Sequence, residues 1–130
     1  FADLHEMALY PCAYSMTFNV SGDTLNAILN QRSQDMLAAN GWNVCQYALL
    51  LMMMAQVTGL QVGEFVHTLG DAHVYHNHFE QVRLQLTRSP RQLPRMVLNP
   101  DVKDIFSFDY DDFRLEDYDP YPHIPGVVSV

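Results

Sequence analysis

The stretch NVCQYALLLMMMAQVTG, residues 43–59, constrains this chain more than any other. It carries no charged residue, and its apolar side chains fall almost all round a helix rather than along one stripe. A helix of that kind belongs inside a protein, so the rest of the chain has to supply a layer that covers it. Its unbroken apolar part, Tyr47 to Ala55, is too short to cross a membrane. Gly59 is the expected stop. Asn40-Gly41-Trp42-Asn43 reads as turn chemistry that caps the start.

Strands are the natural cover. Tyr14 to Val20 alternates, with Met16, Phe18 and Val20 on one side. Ser21-Gly22-Asp23 is a turn, and Thr24 to Asn30 reads as a second strand, so residues 13–30 form a hairpin whose register the turn leaves open. Val62 to His67 is a third strand, and the chain stays extended towards Tyr75. Asn77 to Thr87 is an amphipathic helix, Arg95 to Leu98 and Phe113 to Leu115 are short strands, and the tail DPYPHIPGVVSV holds too much proline to be regular. Strands and helices mix without strict alternation, which is the α+β class. A chain of 130 residues, 48% of them hydrophobic, suits one compact domain. It does not begin with Met, and FADLHEMALY reads as the approach to a strand, so a fragment of a longer protein is the expectation.

The net charge is −8, and eight Asp and Glu residues crowd positions 101–119, where a solvated face is expected. Such acidity argues against nucleic-acid binding, which needs a basic stripe. It leaves room for a small anionic ligand held by a few arginines. Two cysteines, Cys12 and Cys45, are too few for a disulfide framework and fit a reduced, cytoplasmic setting.

Four clusters carry candidate chemistry. Pro11-Cys12 offers either a buried inert thiol or a nucleophile; the second needs a cation, a base or a helix N-terminus that nothing adjacent supplies. Gln31-Arg32-Ser33-Gln34-Asp35 is either a polar loop or a phosphate clamp, with a guanidinium fork, a hydroxyl and a carboxylate acceptor. On an extended segment Asp71, His73 and Tyr75 share one face, suited to a sugar hydroxyl, while His76 and His78 start the next helix and see solvent. A metal reading of HVYHNH is disfavoured, because ligands would have to converge from more than one element. Asn43 is either a helix N-cap or a carboxamide that reads a heterocycle with an imide edge. The four together suit one pyrimidine nucleotide.

In this order, Pro11-Cys12, QRSQD at 31–35, Asn43 before YALL, GDAHVYHNH at 70–78, LTRSPR at 86–91, Tyr118-Asp119-Pro120 and a valine-rich end, the chain resembles the carboxy-terminal half of thymidylate synthase. The resemblance implies a mixed, largely antiparallel sheet packed by helices, here as a partial domain spanning residues 1–130. It implies a homodimer built back to back on that sheet. It also implies the reductive methylation of dUMP to dTMP by 5,10-methylenetetrahydrofolate, with no metal. Cys12 would add to carbon 6 of uracil. Arg32 and Ser33, with Gln34 and Asp35 beside them, would bind dUMP along with Asn43, His73 and Tyr75. Asp35 and Ser129 would touch the folate, and Val130 matches the terminal residue of a tail that folds over the ligands.

Three departures qualify the likeness. Ala13 stands where many members have His, and Trp42 where Phe is usual. The family's catalytic Glu and two arginines donated across the dimer fall upstream of Phe1, so residues 1–130 alone are expected to turn over nothing without that upstream half. A dUMP hydroxymethylase and a non-catalytic dimerising fragment are the alternatives to the synthase.

Overall fold

The computed structural model describes residues 3–129. In chain order these form β1 (Ala13–Ser21), β2 (Thr24–Gln31), β3 (Gln34–Asp35), α1 (Asn40–Thr58), β4 (Gln61–Leu69), β5 (Ala72–His73), α2 (Phe79–Leu86), β6 (Arg95–Leu98) and β7 (Phe113–Glu116). The class is α+β. The central sheet is mixed: β1 pairs antiparallel with β2, and β2 parallel with β4. Two short pairs accompany it, β3 with β5 in parallel and β6 with β7 antiparallel.

The hairpin closes on two residues, Gly22 and Asp23, and this fixes its register. Met16, Phe18 and Val20 stand opposite Leu29, Ala27 and Leu25, so the alternation read in the sequence is one face of the sheet. Leu25, Ala27 and Leu29 are buried on that face, as is the last residue of the row, Gln31. Helix α1 packs on this row with Leu51 and Ala55, and Met16, Phe18 and Phe65 close the edges. Burying a side chain the size of Leu51 contributes about 2 kcal/mol.

The helix differs from its sequence reading in two ways. It begins at Asn40, and Ala39 precedes it without a side-chain cap. The turn before it is ordered by Asp35, whose Oδ1 accepts from the amides of Leu37 and Ala38 at 2.9 and 3.1 Å. The segment 40–43 is therefore helical, and Asn43 is not an N-cap. Nor is α1 enclosed on all sides. Leu51 and Ala55 are its buried residues, and Trp42 is 81% exposed, because β2 and β4 cover one flank. Gly59 ends the helix in the left-handed region at φ 71°, where its amide caps the last turn.

The second helix is shorter than expected, a 3-10 turn over His76–His78 followed by α2. His76 is exposed, but His78 is 1% exposed and does not see solvent. The tail accounts for this: residues 117–129 run without regular structure beside α2, and the Val127 carbonyl meets the ring at Nε2. This strap is held mainly through its carbonyls. Arg91 donates to Asp119 O, Arg88 to Pro122 O, Gln81 to Pro125 O and His78 to Val127 O, while Asn77 exchanges hydrogen bonds with the Ser129 hydroxyl. The acidic segment is largely exposed, and Asp104 and Asp109 cap its short turns. Among the described residues no helix is long and apolar enough to cross a membrane.

Candidate functional site

The site is built where β1, β2 and β4 reach the same edge. Arg32 N donates to Cys12 O at 2.9 Å, which sets the two residues side by side. On the other side Gly70 N donates to Gln31 O and Asp71 N to Arg32 O, at 2.9 and 3.1 Å. Glycine is needed at position 70, since a Cβ there would sit 2.9 Å from the Arg32 carbonyl. The close crossing carries Asp71–Tyr75 beside Arg32–Asp35, and Gln34 N then donates to Asp71 O at 2.8 Å.

Arg32 brings a cation to the residues that precede Cys12. Its Nη2 donates to Tyr10 O at 2.6 Å and its Nε to Pro11 O at 3.2 Å. The guanidinium is thus pinned to the two carbonyls that lead into Cys12. Arg32 remains exposed, so its other N–H groups face outward. Cys12 is half-buried, Cys45 is exposed on α1, and both are free thiols.

Ser33, Asp71, His73, Val74, Tyr75 and His76 line a cleft of about 420 Å³. That volume lies in the range of small-ligand sites. The hydroxyl read as a phosphate ligand and the two rings read as sugar ligands therefore share one wall. His73 and Tyr75 meet edge to face, 5.1 Å between centroids. His73 Nδ1 is buried without a hydrogen bond and lies 3.7 Å from Asp71 Oδ2. Cys12 and Asn43 are not part of that wall; they join it through the backbone of Arg32 and the side chain of Gln31.

Gln31 is the residue that the sequence left without a role. Its buried Nε2 has two hydrogens for three acceptors, Ser33 O at 2.8 Å, Gln34 Oε1 and Asn43 Oδ1 at 3.2 Å, so one hydrogen is shared. A carbonyl can only accept, so Ser33 O fixes which way the Gln31 amide faces. Gln31 Oε1 then points at His67 Nε2, 3.0 Å away, and His67 has to be the donor. Burial pushes the His67 imidazole below its ordinary pKa, in keeping with a neutral ring carrying its proton on Nε2. Asn43 in turn presents its oxygen to Gln31, which leaves its Nδ2 donors and a second lone pair for another partner. The Ser33 carbonyl sets the polarity of Gln31, Asn43 and His67, and the Asp35 carbonyl, which accepts from Gln34 Nε2, orients Gln34 to match.

Of the remaining candidates, Gln34 is buried and bonded inside this network. Asp35 is half-buried, with one oxygen engaged by the turn before α1. Ser129 sits with Asn77, and Val130 lies outside the described residues. Ala13 pairs with Gln31 across the sheet. The signal that could have singled out Gln31 was present in the sequence: it ends a row of alternating apolar residues, where a polar side chain has to find partners.

The thymidylate synthase family model matches residues 1–130. The chain belongs to the thymidylate synthase family. Among solved structures, the thermostable thymidylate synthase A from Bacillus subtilis superposes with a TM-score of 0.93 at 38% identity. The match covers 99% of this chain and 46% of that one, so the chain spans about half the length of this thymidylate synthase.

Proposed function

We propose that residues 1–130 form the carboxy-terminal part of a thymidylate synthase catalytic domain, and that the complete enzyme methylates dUMP to dTMP. One observation carries the reading: Ser33, His73 and Tyr75 share a cleft, and Arg32, the neighbour of Ser33, is bonded to the two carbonyls that lead into Cys12. Membership of the family and the fold agree with it.

The free edge of the Arg32 guanidinium and the Ser33 hydroxyl bind the phosphate. His73 and Tyr75 take the ribose hydroxyl. Asn43 accepts from the uracil N3–H and donates to O4. Cytosine offers the reverse pattern there, and turning the Asn43 amide to meet it would oppose Gln31. The Cys12 sulfur adds to carbon 6, and the electron pair displaced to carbon 5 makes that atom the nucleophile.

5,10-Methylenetetrahydrofolate would supply the one-carbon unit and the hydride. Two groups of this chain fit that cosubstrate. The Asp35 carboxylate has an oxygen beyond the one its turn engages, and the Ser129 hydroxyl exchanges its bonds with an exposed Asn77 side chain that a ligand can replace. The exposed face of the β1–β2–β4 sheet, where Ile28 and Val66 stand side by side, is the surface for a second copy of the subunit. An upstream half supplies the family's remaining catalytic groups, in a cytoplasmic enzyme.

Labelled dUMP given to the full-length protein with 5,10-methylenetetrahydrofolate tests the reading. Labelled dTMP is expected. A 5-hydroxymethyl product would assign the hydroxymethylase reaction instead, and a folded protein that neither binds nor converts dUMP would overturn both.

A further inference from the structure

Up to Ile124 the strap has packing of its own, with Tyr121 under the Arg88 and Arg91 guanidinium groups and Ile124 half-buried, but its end turns its apolar side chains outward: Val127 and Val128 are 76% and 79% exposed. Little hydrocarbon burial holds that end, so its hydrogen bonds decide whether it stays. The bonds from Asn77, Gln81, Arg88 and Arg91 lie open to solvent and compete with water. His78 differs. Its ring is 1% exposed, and Nε2 lies 2.7 Å from Val127 O. A carbonyl has no proton to give, so Nε2 carries the hydrogen and Nδ1 is left as a buried acceptor without a partner.

The same ring reaches the cleft only through Tyr75. Tyr75 meets His78 edge to face with centroids 5.9 Å apart, and His73 meets Tyr75 in the same way at 5.1 Å. His73 and Tyr75 line the 420 Å³ cleft with Ser33. A continuous file of rings therefore runs from the cleft wall to a carbonyl two residues before Ser129.

We propose that His78 is a positioning residue that couples the carboxy-terminal strap to the nucleotide cleft. It holds Val127 by its Nε2–H and takes its own position from Tyr75. A nucleotide that shifts Tyr75 shifts the ring that fixes the strap, and with it the reach of Ser129 towards a second ligand. Only the nucleotide's part in this rests on the function proposed above; the latch itself does not.

Amide hydrogen exchange over residues 124–129 of the full-length protein tests the latch, first without ligand and then with dUMP. Losing one buried hydrogen bond in His78→Phe is expected to speed exchange about tenfold, whereas His78→Gln, whose amide can donate from the same place, stays within roughly threefold of the parent. With dUMP, strap exchange changes in the parent and in His78→Gln but not in His78→Phe. The KM for 5,10-methylenetetrahydrofolate rises roughly fivefold in His78→Phe while the KM for dUMP holds within about twofold. Parent-like exchange in His78→Phe, or a His78→Gln as loose as His78→Phe, would overturn the proposal. If His78→Phe does not fold, the parent still decides: a slowly exchanging His78 Nε2–H in its NMR spectrum supports the latch, and a fast one removes it. A protein that fails to bind dUMP but passes the ligand-free arm would sink the proposed function and keep the latch.

Discussion

Two polar regions of this molecule use the same bonds in opposite surroundings. Around Gln31, side chains that are buried or half-buried exchange hydrogen bonds inside the sheet edge, and the Ser33 and Asp35 carbonyls set their orientations. Along the strap, half-buried and exposed side chains reach up to a backbone through bonds that lie open to water. An unmet group in the first region stays desolvated, whereas in the second water replaces the partner. The first can therefore hold Asn43 and Ser33 in fixed geometry, and the second can come and go at low cost, apart from its one buried donor, His78. The function proposed above uses both: a rigid reader for the base and an end of the chain that yields to ligands.

The largest expected effect follows from breaking the rigid side. Gln31→Leu strands Ser33 O, Asn43 and His67 at once, and should lower the unfolding free energy by about 3 kcal/mol in urea titration. A loss below about 1 kcal/mol would mean that the network adds little beyond packing. Arg32→Ala comes next. Calorimetric titration should show dUMP binding weakened by about 2 kcal/mol, the scale of a charge-assisted contact. Unchanged affinity would remove Arg32 from the phosphate.

The pH dependence sharpens the same contrast. The His67 imidazole is held below the ordinary 6.5 by burial, so the unfolded chain binds the extra proton first. Its contribution is fully present above pH 6.5 and is lost as the pH falls from there through the lowered folded value. His67→Gln should flatten that part of the stability profile; an unaltered profile would place the titration elsewhere. The smallest effect belongs to the strap. Arg91 pairs with Asp119 at 2.6 Å, but the Asp119 side chain is 83% exposed, so Arg91→Ala should cost no more than about 0.5 kcal/mol. A larger loss would show that the strap is as firmly built as the sheet edge.

Much of the fold was legible because it rests on periodicity. The alternation of Met16, Phe18 and Val20 and the stop at Gly59 follow from local chemistry, and both stand in the structure. What was hidden depends on residues distant in sequence. His78 read as solvent-facing because its partner, Val127, lies 49 residues away. Asn43 kept an N-cap reading because Asp35, which orders the turn before the helix, gives no sign of that in its own neighbourhood. For the site, Arg32, Ser33, His73 and Tyr75 stood out by chemical type. Gln31 did not, since an uncharged amide looks alike in a loop and at the centre of a network.

The central claim is that Cys12 is the nucleophile towards dUMP. Fluorine at carbon 5 replaces the proton that must leave, so 5-fluoro-dUMP should stall the reaction with the carbon 6–sulfur bond intact. The full-length protein, incubated with that analogue and 5,10-methylenetetrahydrofolate, should gain the mass of the adduct on the peptide containing Cys12, and Cys12→Ser should gain none. A nucleotide adduct on another residue, or methylation that survives in Cys12→Ser, would contradict the account.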